Sequence, residues 1–197
     1  MGFTRGPRLV THGLVLALDA ASPRSYNGTG TVIYDTSGNN NDFDIIGGPT
    51  HSGGEFTFTE STYFQRSSVV TNNTDCTVVV FYKTTDTQEL WLRGQNGNFY
   101  IAASYGNNYY DQESGDPTYY IDTEVQTNPT DFRDGNYHMW EAKPVDFSSW
   151  TSMRWWGYGS SWNMNGTVSK ILVYDRVLTA EESTQNFNAF KQRYSIA

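Results

Sequence analysis

A chain of 197 residues, 37% hydrophobic and 16% aromatic, is long enough for one well-cored domain, and its single cysteine, Cys76, excludes an intrachain disulfide. The net charge of −8, with 13 basic residues scattered among 21 acidic ones, argues against binding nucleic acid through its phosphates. No apolar run approaches the roughly 20 residues of a membrane-spanning helix, and no hydrophobic stretch follows the basic start, so neither a membrane span nor a secretory signal is expected.

Residues 1–12 are rich in Gly, Pro and Arg without periodicity, and read as an arm, either frayed or docked on a neighbouring subunit. Residues 13–20 form the first strand. Leu14, Leu16 and Leu18 share one face and Val15 and Ala17 the other, so the strand is expected inside a sheet. Asn27-Gly28 marks a turn. Residues 31–34 and 43–46 are short strands around a polar loop, and Gly47-Gly48-Pro49 ends the second. Residues 55–59 and 63–67 read as paired strands. Residues 76–82, with three consecutive valines, are the strongest β run and belong at a sheet centre; Cys76 within it reads as a small buried apolar residue rather than a reactive thiol.

Residues 89–92 and 99–104 flank Asn96-Gly97, a hairpin turn. Residues 105–117 read as a polar loop, 119–125 as one strand and 137–142 as another. Residues 152–158 and 167–174 are the last two strands, with a turn over 163–166. The pattern then changes to helical. Thr179 stands three residues before Glu182, the spacing of a capping box, and Phe187, Phe190 and Tyr194 follow as one apolar stripe. About a dozen short strands and one short C-terminal helix predict an all-β, two-sheet antiparallel jelly-roll sandwich, with a single domain over residues 13–197.

Three segments carry a resemblance. They are residues 13–26 (GLVLALDAASPRSY) with 32–42 (VIYDTSGNNND), residues 134–142 (DGNYHMWEA) and residues 169–182 (SKILVYDRVLTAEE). Together they resemble the concanavalin A-like lectin/glucanase (laminin-G-like) jelly rolls, especially those in virion proteins of marine tailed phages. The resemblance reaches from about residue 9 to the end. It implies a non-enzymatic virion protein, made in the host cytoplasm and kept on the capsid, neck or tail, contacting other virion proteins and forming symmetric homo-oligomers. The alternative is a carbohydrate-binding module that recognises host cell-surface polysaccharide.

Candidate sites follow from residue chemistry. The loop of Asp35, Thr36, Ser37, Gly38 and Asn39 offers the hard oxygens that calcium takes, and some proteins of the resembling family bind calcium nearby. Asp35 and Asn39 are the candidate ligands. The alternative is an Asx-turn, in which Asp35 accepts backbone N–H groups. Phe43 and the Glu60-Ser61 pair depart from that family's pattern.

Trp150, Trp155, Trp156, Tyr158 and Trp162 cluster within thirteen residues. Exposed, they would stack on sugar rings; otherwise they pack under a loop or in a subunit interface. On a strand, Trp155 and Trp156 would face opposite sides, one in the core and one outside. Tyr109-Tyr110 and Tyr119-Tyr120 admit the same two readings.

His138 shares a strand face with Trp140 and reads as a buried, satisfied histidine beside it rather than a catalytic one, because no Gly-x-Ser-x-Gly elbow is present. The Glu-x-Asp-x-Glu strand of the glucanases is missing; Asp42 and Asp44 stand alone, and Glu113 and Asp116 fall in a loop. No catalytic residue is expected.

Overall fold

A computed structural model describes residues 7–59, 61–86, 91–94, 100–105, 108–112, 115–126, 133–156 and 165–196, with only the backbone of Trp91, Tyr100, residues 102–105 and residues 108–112 described. The strands are β1 (Leu14–Asp19), β2 (Val32–Ile33), β3 (Phe43–Ile46), β4 (Thr50–Ser52), β5 (Glu55–Phe58), β6 (Tyr63–Arg66), β7 (Cys76–Lys83), β8 (Trp91–Arg93), β9 (Tyr100–Tyr105) and β10 (Asn108–Gln112). They continue with β11 (Thr118–Ile121), β12 (Glu124–Gln126), β13 (His138–Val145), β14 (Met153–Trp155) and β15 (Gly166–Tyr174), and end in helix α1 (Ala180–Tyr194).

Every pairing between these strands is antiparallel, and two sheets result. The first runs β12-β11-β13-β7-β15-β5-β4, with β1 added on β15; the second runs β10-β9-β8-β14-β6-β3-β2. β15 is long enough to pair β5 through residues 166–168 and β1 through residues 170–174 on the same edge. This is the expected β-sandwich with one short C-terminal helix.

Alternation explains the two apolar cores. On β7, Val78, Val80 and Tyr82 point between the sheets, where they meet Leu16, Leu18, Phe43, Phe64, Trp140 and Trp155. Val79 and Phe81 point the other way, with Met139, Leu172 and Tyr174, and α1 covers them with Phe187. A strand buried on both faces can be apolar throughout, which is why 76–82 reads so strongly. Cys76 lies there as expected. Burial, aided by Asp175, Asp75 and Asp146, pushes its thiol up to about 12, so it is inert at neutral pH.

The capping box forms as predicted. Thr179 Oγ1 accepts from the Glu182 N–H at 3.3 Å, and Glu182 Oε2 accepts from the Thr179 N–H at 3.0 Å. Arg176 adds a bidentate pair to Glu182 at 2.7 and 2.6 Å, which with the cap holds that carboxyl down at about 2.

Several expectations change. The arm expected over residues 1–12 is, in its described part, tied to α1. Val10 N–H donates to Asn186 Oδ1, Asn186 Nδ2 donates to the Tyr174 hydroxyl, and that hydroxyl donates back to Val10 O, each at 3.0 Å. Gln185 also donates to Arg8 O at 2.6 Å, so Arg8 and Val10 are held against the helix. The single strand expected over 119–125 is a hairpin, because Asp122 and Thr123 both take positive φ (51° and 83°) and turn the chain between β11 and β12.

β10 lies inside the expected polar loop, and β4 pairs β5 through a Gly53-Gly54 turn that composition alone did not mark as a hairpin. The strand expected at 137–142 runs past Pro144 to Val145. A register shift between Ala142 and Val145 takes the proline out of the ladder, where it has no N–H to give. The hairpin turn at Asn96-Gly97 falls outside the described residues.

Candidate ligand-binding face

The outer face of the first sheet is occupied by α1. Among the described residues, no helix lies on the outer face of the second. Its composition follows from alternation about core residues. On β6, Phe64 points inward, leaving Tyr63 and Gln65 outside; on β14, Met153 and Trp155 point inward, leaving Arg154 outside. β3 places Asp44, which is exposed, between buried Phe43 and Ile45, and β8 places Arg93 beside buried Leu92.

Register aligns these positions into one row. Asp44 pairs Gln65, Gln65 pairs Arg154, Arg154 pairs Arg93, and the backbone of Arg93 pairs that of Tyr100. Arg154 is held within the row. Its Nη2 donates to Gln65 Oε1 at 2.9 Å, and its guanidinium carbon lies 4.2 Å from the Tyr63 ring centroid. Its Nε has no hydrogen-bond partner among the described residues. The face thus offers an aromatic ring, an amide, two guanidinium groups and a carboxylate, which are planar polar groups suited to the hydroxyls and ring faces of a saccharide.

The sequence-predicted sites lie elsewhere. Trp155 and Trp156 are both 0% exposed, which corrects the expectation that one of them would face out. β14 ends at Trp155, and Trp156 takes φ 74°, so the chain turns and the second ring also folds inward. It stacks on Phe58 (5.3 Å, 17°) and lies 6.5 Å from the Trp155 ring. Neither can receive a sugar. Trp150 is buried against Phe147. Tyr158 and Trp162 lie outside the described residues. Tyr119 is buried, and Tyr120 sits under the Lys143 ammonium, 4.7 Å away; the side chains of Tyr109 and Tyr110 are not described.

Asp35 is the Asx-turn rather than a calcium ligand. Its Oδ1 accepts from Ala17 N (2.9 Å) and Ser37 N (2.8 Å), and its Oδ2 from Ser37 Oγ (2.7 Å) and Asn41 N (3.1 Å). Four donors fill the acceptor sites of a carboxylate. Asn39 turns its amide N–H groups to Leu14 O and Ser37 Oγ. The chemistry of this loop therefore does not fit a bound cation, and no group of three His, Cys, Asp or Glu suited to one occurs among the described residues.

Two polar clusters of the first sheet were not anticipated. Under α1, Lys143 Nζ lies 2.5 Å from Glu141 Oε1 and 2.6 Å from Ser183 Oγ. A serine beside a lysine can be a nucleophile, but all three side chains here are buried beneath the helix, away from any substrate.

At the other end of β13, His138 bridges Asp122 (Nδ1, 2.7 Å) and Asp134 (Nε2, 3.1 Å). It is satisfied, as its sequence context suggested, but half-buried rather than buried. The Asp122 hydrogen bond raises its pKa above the ordinary 6.5, against the opposing effect of burial, and Asp134 adds to the rise. A raised histidine stabilises fully below its unfolded value and loses that contribution as pH rises through the folded one. His138→Gln is therefore expected to lower the melting temperature clearly at about pH 6 and much less at about pH 9. Melts that shift equally at both pH values would reject this ion-paired role.

No family profile matches this sequence, and no curated protein sequence does. Solved structures do resemble it. Domain 4 of AbnA, an extracellular GH43 arabinanase from Geobacillus stearothermophilus solved with arabinotriose, matches with TM-score 0.57 and 12% identity, over 89% of this chain and 98% of that one. The binding domain of Paraclostridial Mosquitocidal Protein 1 matches with TM-score 0.59 and 12% identity, over 90% of this chain and 52% of that one. Trypanosoma rangeli sialidase with sialic acid matches with TM-score 0.56 and 12% identity, over 92% of this chain and 33% of that one. The chain thus spans about a third of the sialidase and about half of the toxin domain. At such identities the likeness is one of fold, a jelly-roll-like β-sandwich.

Proposed function

We propose that this protein is a non-enzymatic carbohydrate-binding module whose site is the outer face of the second sheet. The observation that carries the reading is Arg154 held between the Tyr63 ring and Gln65 on that face. Such an arrangement fixes donors beside an aromatic ring before ligand arrives, which lowers the ordering cost of binding. The arabinanase domain supports it, since it has the same fold over nearly its whole length and is solved with an oligosaccharide. Binding without turnover fits a row in which Asp44 is the one carboxylate among the described side chains.

Arg154→Ala is expected to weaken polysaccharide binding about tenfold or more in calorimetric titration, while the melting temperature stays within about 2 °C. Unchanged affinity would remove this face from consideration.

A virion decoration role, with capsid, neck or tail proteins as partners and symmetric copies, is the second reading. It rests on the sequence resemblance. The residues that carry that resemblance build β1, β2 with the Asp35 loop, much of β13, β15 and the start of α1, so they speak to architecture more than to task. Both readings hold together if the particle displays the module to host polysaccharide. Mass spectrometry of purified particles decides the location.

A further inference from the structure

We infer that the ligand of this face is a neutral saccharide with a free vicinal diol, whose two neighbouring hydroxyls donate to the Asp44 carboxylate. The inference rests on the binding reading above and names the chemical class of its ligand. Asp44 sits inside β3, between the inward-facing Phe43 and Ile45, and is exposed. Aspartate is disfavoured in strands, because its short side chain competes for backbone groups and packs little surface. Nothing local offsets that cost, since among the described residues Asp44 makes no side-chain hydrogen bond or ion pair.

Other aspartates of the chain are engaged. Asp19 pairs Lys170, Asp122 and Asp134 hold His138, and Asp35, Asp42 and Asp146 accept backbone N–H groups. Nor does Asp44 guard an open sheet edge, a common task of charges on strands, because its backbone is paired to Val32 on β2 and to Gln65 on β6. A bare carboxylate on a chain of net charge −8 would repel an acidic sugar, and Arg154, one strand beyond Gln65, would repel a basic one.

The neighbours of Asp44 on the outer face make a platform. Val32 stands opposite it on β2, Ile46 follows about 7 Å along β3 on the same face, and Ile46 stands opposite Tyr63. Val32, Ile46 and Tyr63 are half-buried and belong to neither apolar core. A carboxylate beside such a patch matches the two aspects of a sugar ring. The C–H face would lie on Ile46 and Tyr63, and hydroxyls on the rim would reach Asp44. The two oxygens of a carboxylate can accept from two donors side by side, which adjacent hydroxyls supply and an isolated hydroxyl does not. Gln65 accepts from Arg154 through Oε1, which leaves its amide N–H groups to donate to a sugar oxygen.

The test titrates the whole protein with dextran, xylan and galactomannan, whose sugars carry free vicinal diols, and with laminarin, a glucan whose linkages leave almost none. At least one of the first three is expected to bind, with little dependence on salt because it is uncharged. Its affinity should fall about tenfold or more after periodate cleavage of its diols and borohydride reduction, and laminarin should bind no more tightly than that product. Asp44→Asn, which keeps the shape and loses one acceptor oxygen, and Asp44→Ala should each weaken binding about tenfold or more. Thermal melts verify that both variants are folded. Equal affinity for laminarin or for the oxidised product, or full binding by either Asp44 variant, overturns the diol inference and leaves the face standing, with Arg154→Ala as its separate test. Binding of none of the four polysaccharides overturns both.

Discussion

Trp155→Ala is expected to cost about 3–5 kcal/mol of stability, read as a large drop in the urea midpoint. Trp155 has no exposed surface, pairs across the sheet with Phe64 on one side and Leu92 on the other, and lies beside Trp156 in the central core. Truncation there removes a large apolar surface and leaves a cavity that two packed sheets cannot collapse. The result also separates two meanings of a tryptophan effect. Any loss of polysaccharide binding should track the fraction unfolded, and it should return when the variant is studied under strongly folding conditions. A stable Trp155→Ala protein that no longer binds would mean that the ring reaches ligand, and would overturn its place in the core.

The second large effect is expected beneath α1. Lys143→Met leaves Glu141, which has no exposed surface, with the Ser183 hydroxyl but no cation, and should cost about 3–5 kcal/mol. Burial already pushes the Glu141 carboxyl up, with Lys143 and Ser183 pulling the other way, and its Oε2 has no hydrogen-bond partner. Without the ammonium the carboxyl would have to take a proton or a water. The double variant Glu141→Leu/Lys143→Met removes both desolvation costs and should recover most of the loss. A double variant as unstable as the single one would mean that the ion pair, rather than the filled volume, holds α1 to the sheet. Chemical denaturation of the three proteins at neutral pH distinguishes these outcomes.

The scaffold was legible in the sequence where local and tertiary preferences agree. β1, β7 and β15 are apolar on both faces because one face meets the other sheet and the second meets α1, and the Thr179–Glu182 box marks the helix start. Legibility failed where neighbours decide. β4, β10 and β12 are short, polar strands at or next to sheet edges, and their pairing comes from the strand beside them rather than from their own composition. The Asp122-Thr123 turn carries no glycine to announce its positive φ.

The candidate face was missed for a similar reason. Arg93 and Arg154 come from distant segments, and register alone makes them neighbours. A signal did exist, since each sits beside apolar residues on a short strand, Leu92 for Arg93 and Met153 and Trp155 for Arg154. The tryptophans drew attention instead, and strand alternation was applied one residue too far. The turn at Trp156 cannot be read from composition.

The closed ring of Val10, Asn186 and Tyr174, together with β1 zipped onto β15, brings the early and late parts of the chain side by side behind the first sheet. Tethering through either part would therefore orient every molecule the same way on a support, with the arginine row turned toward solution.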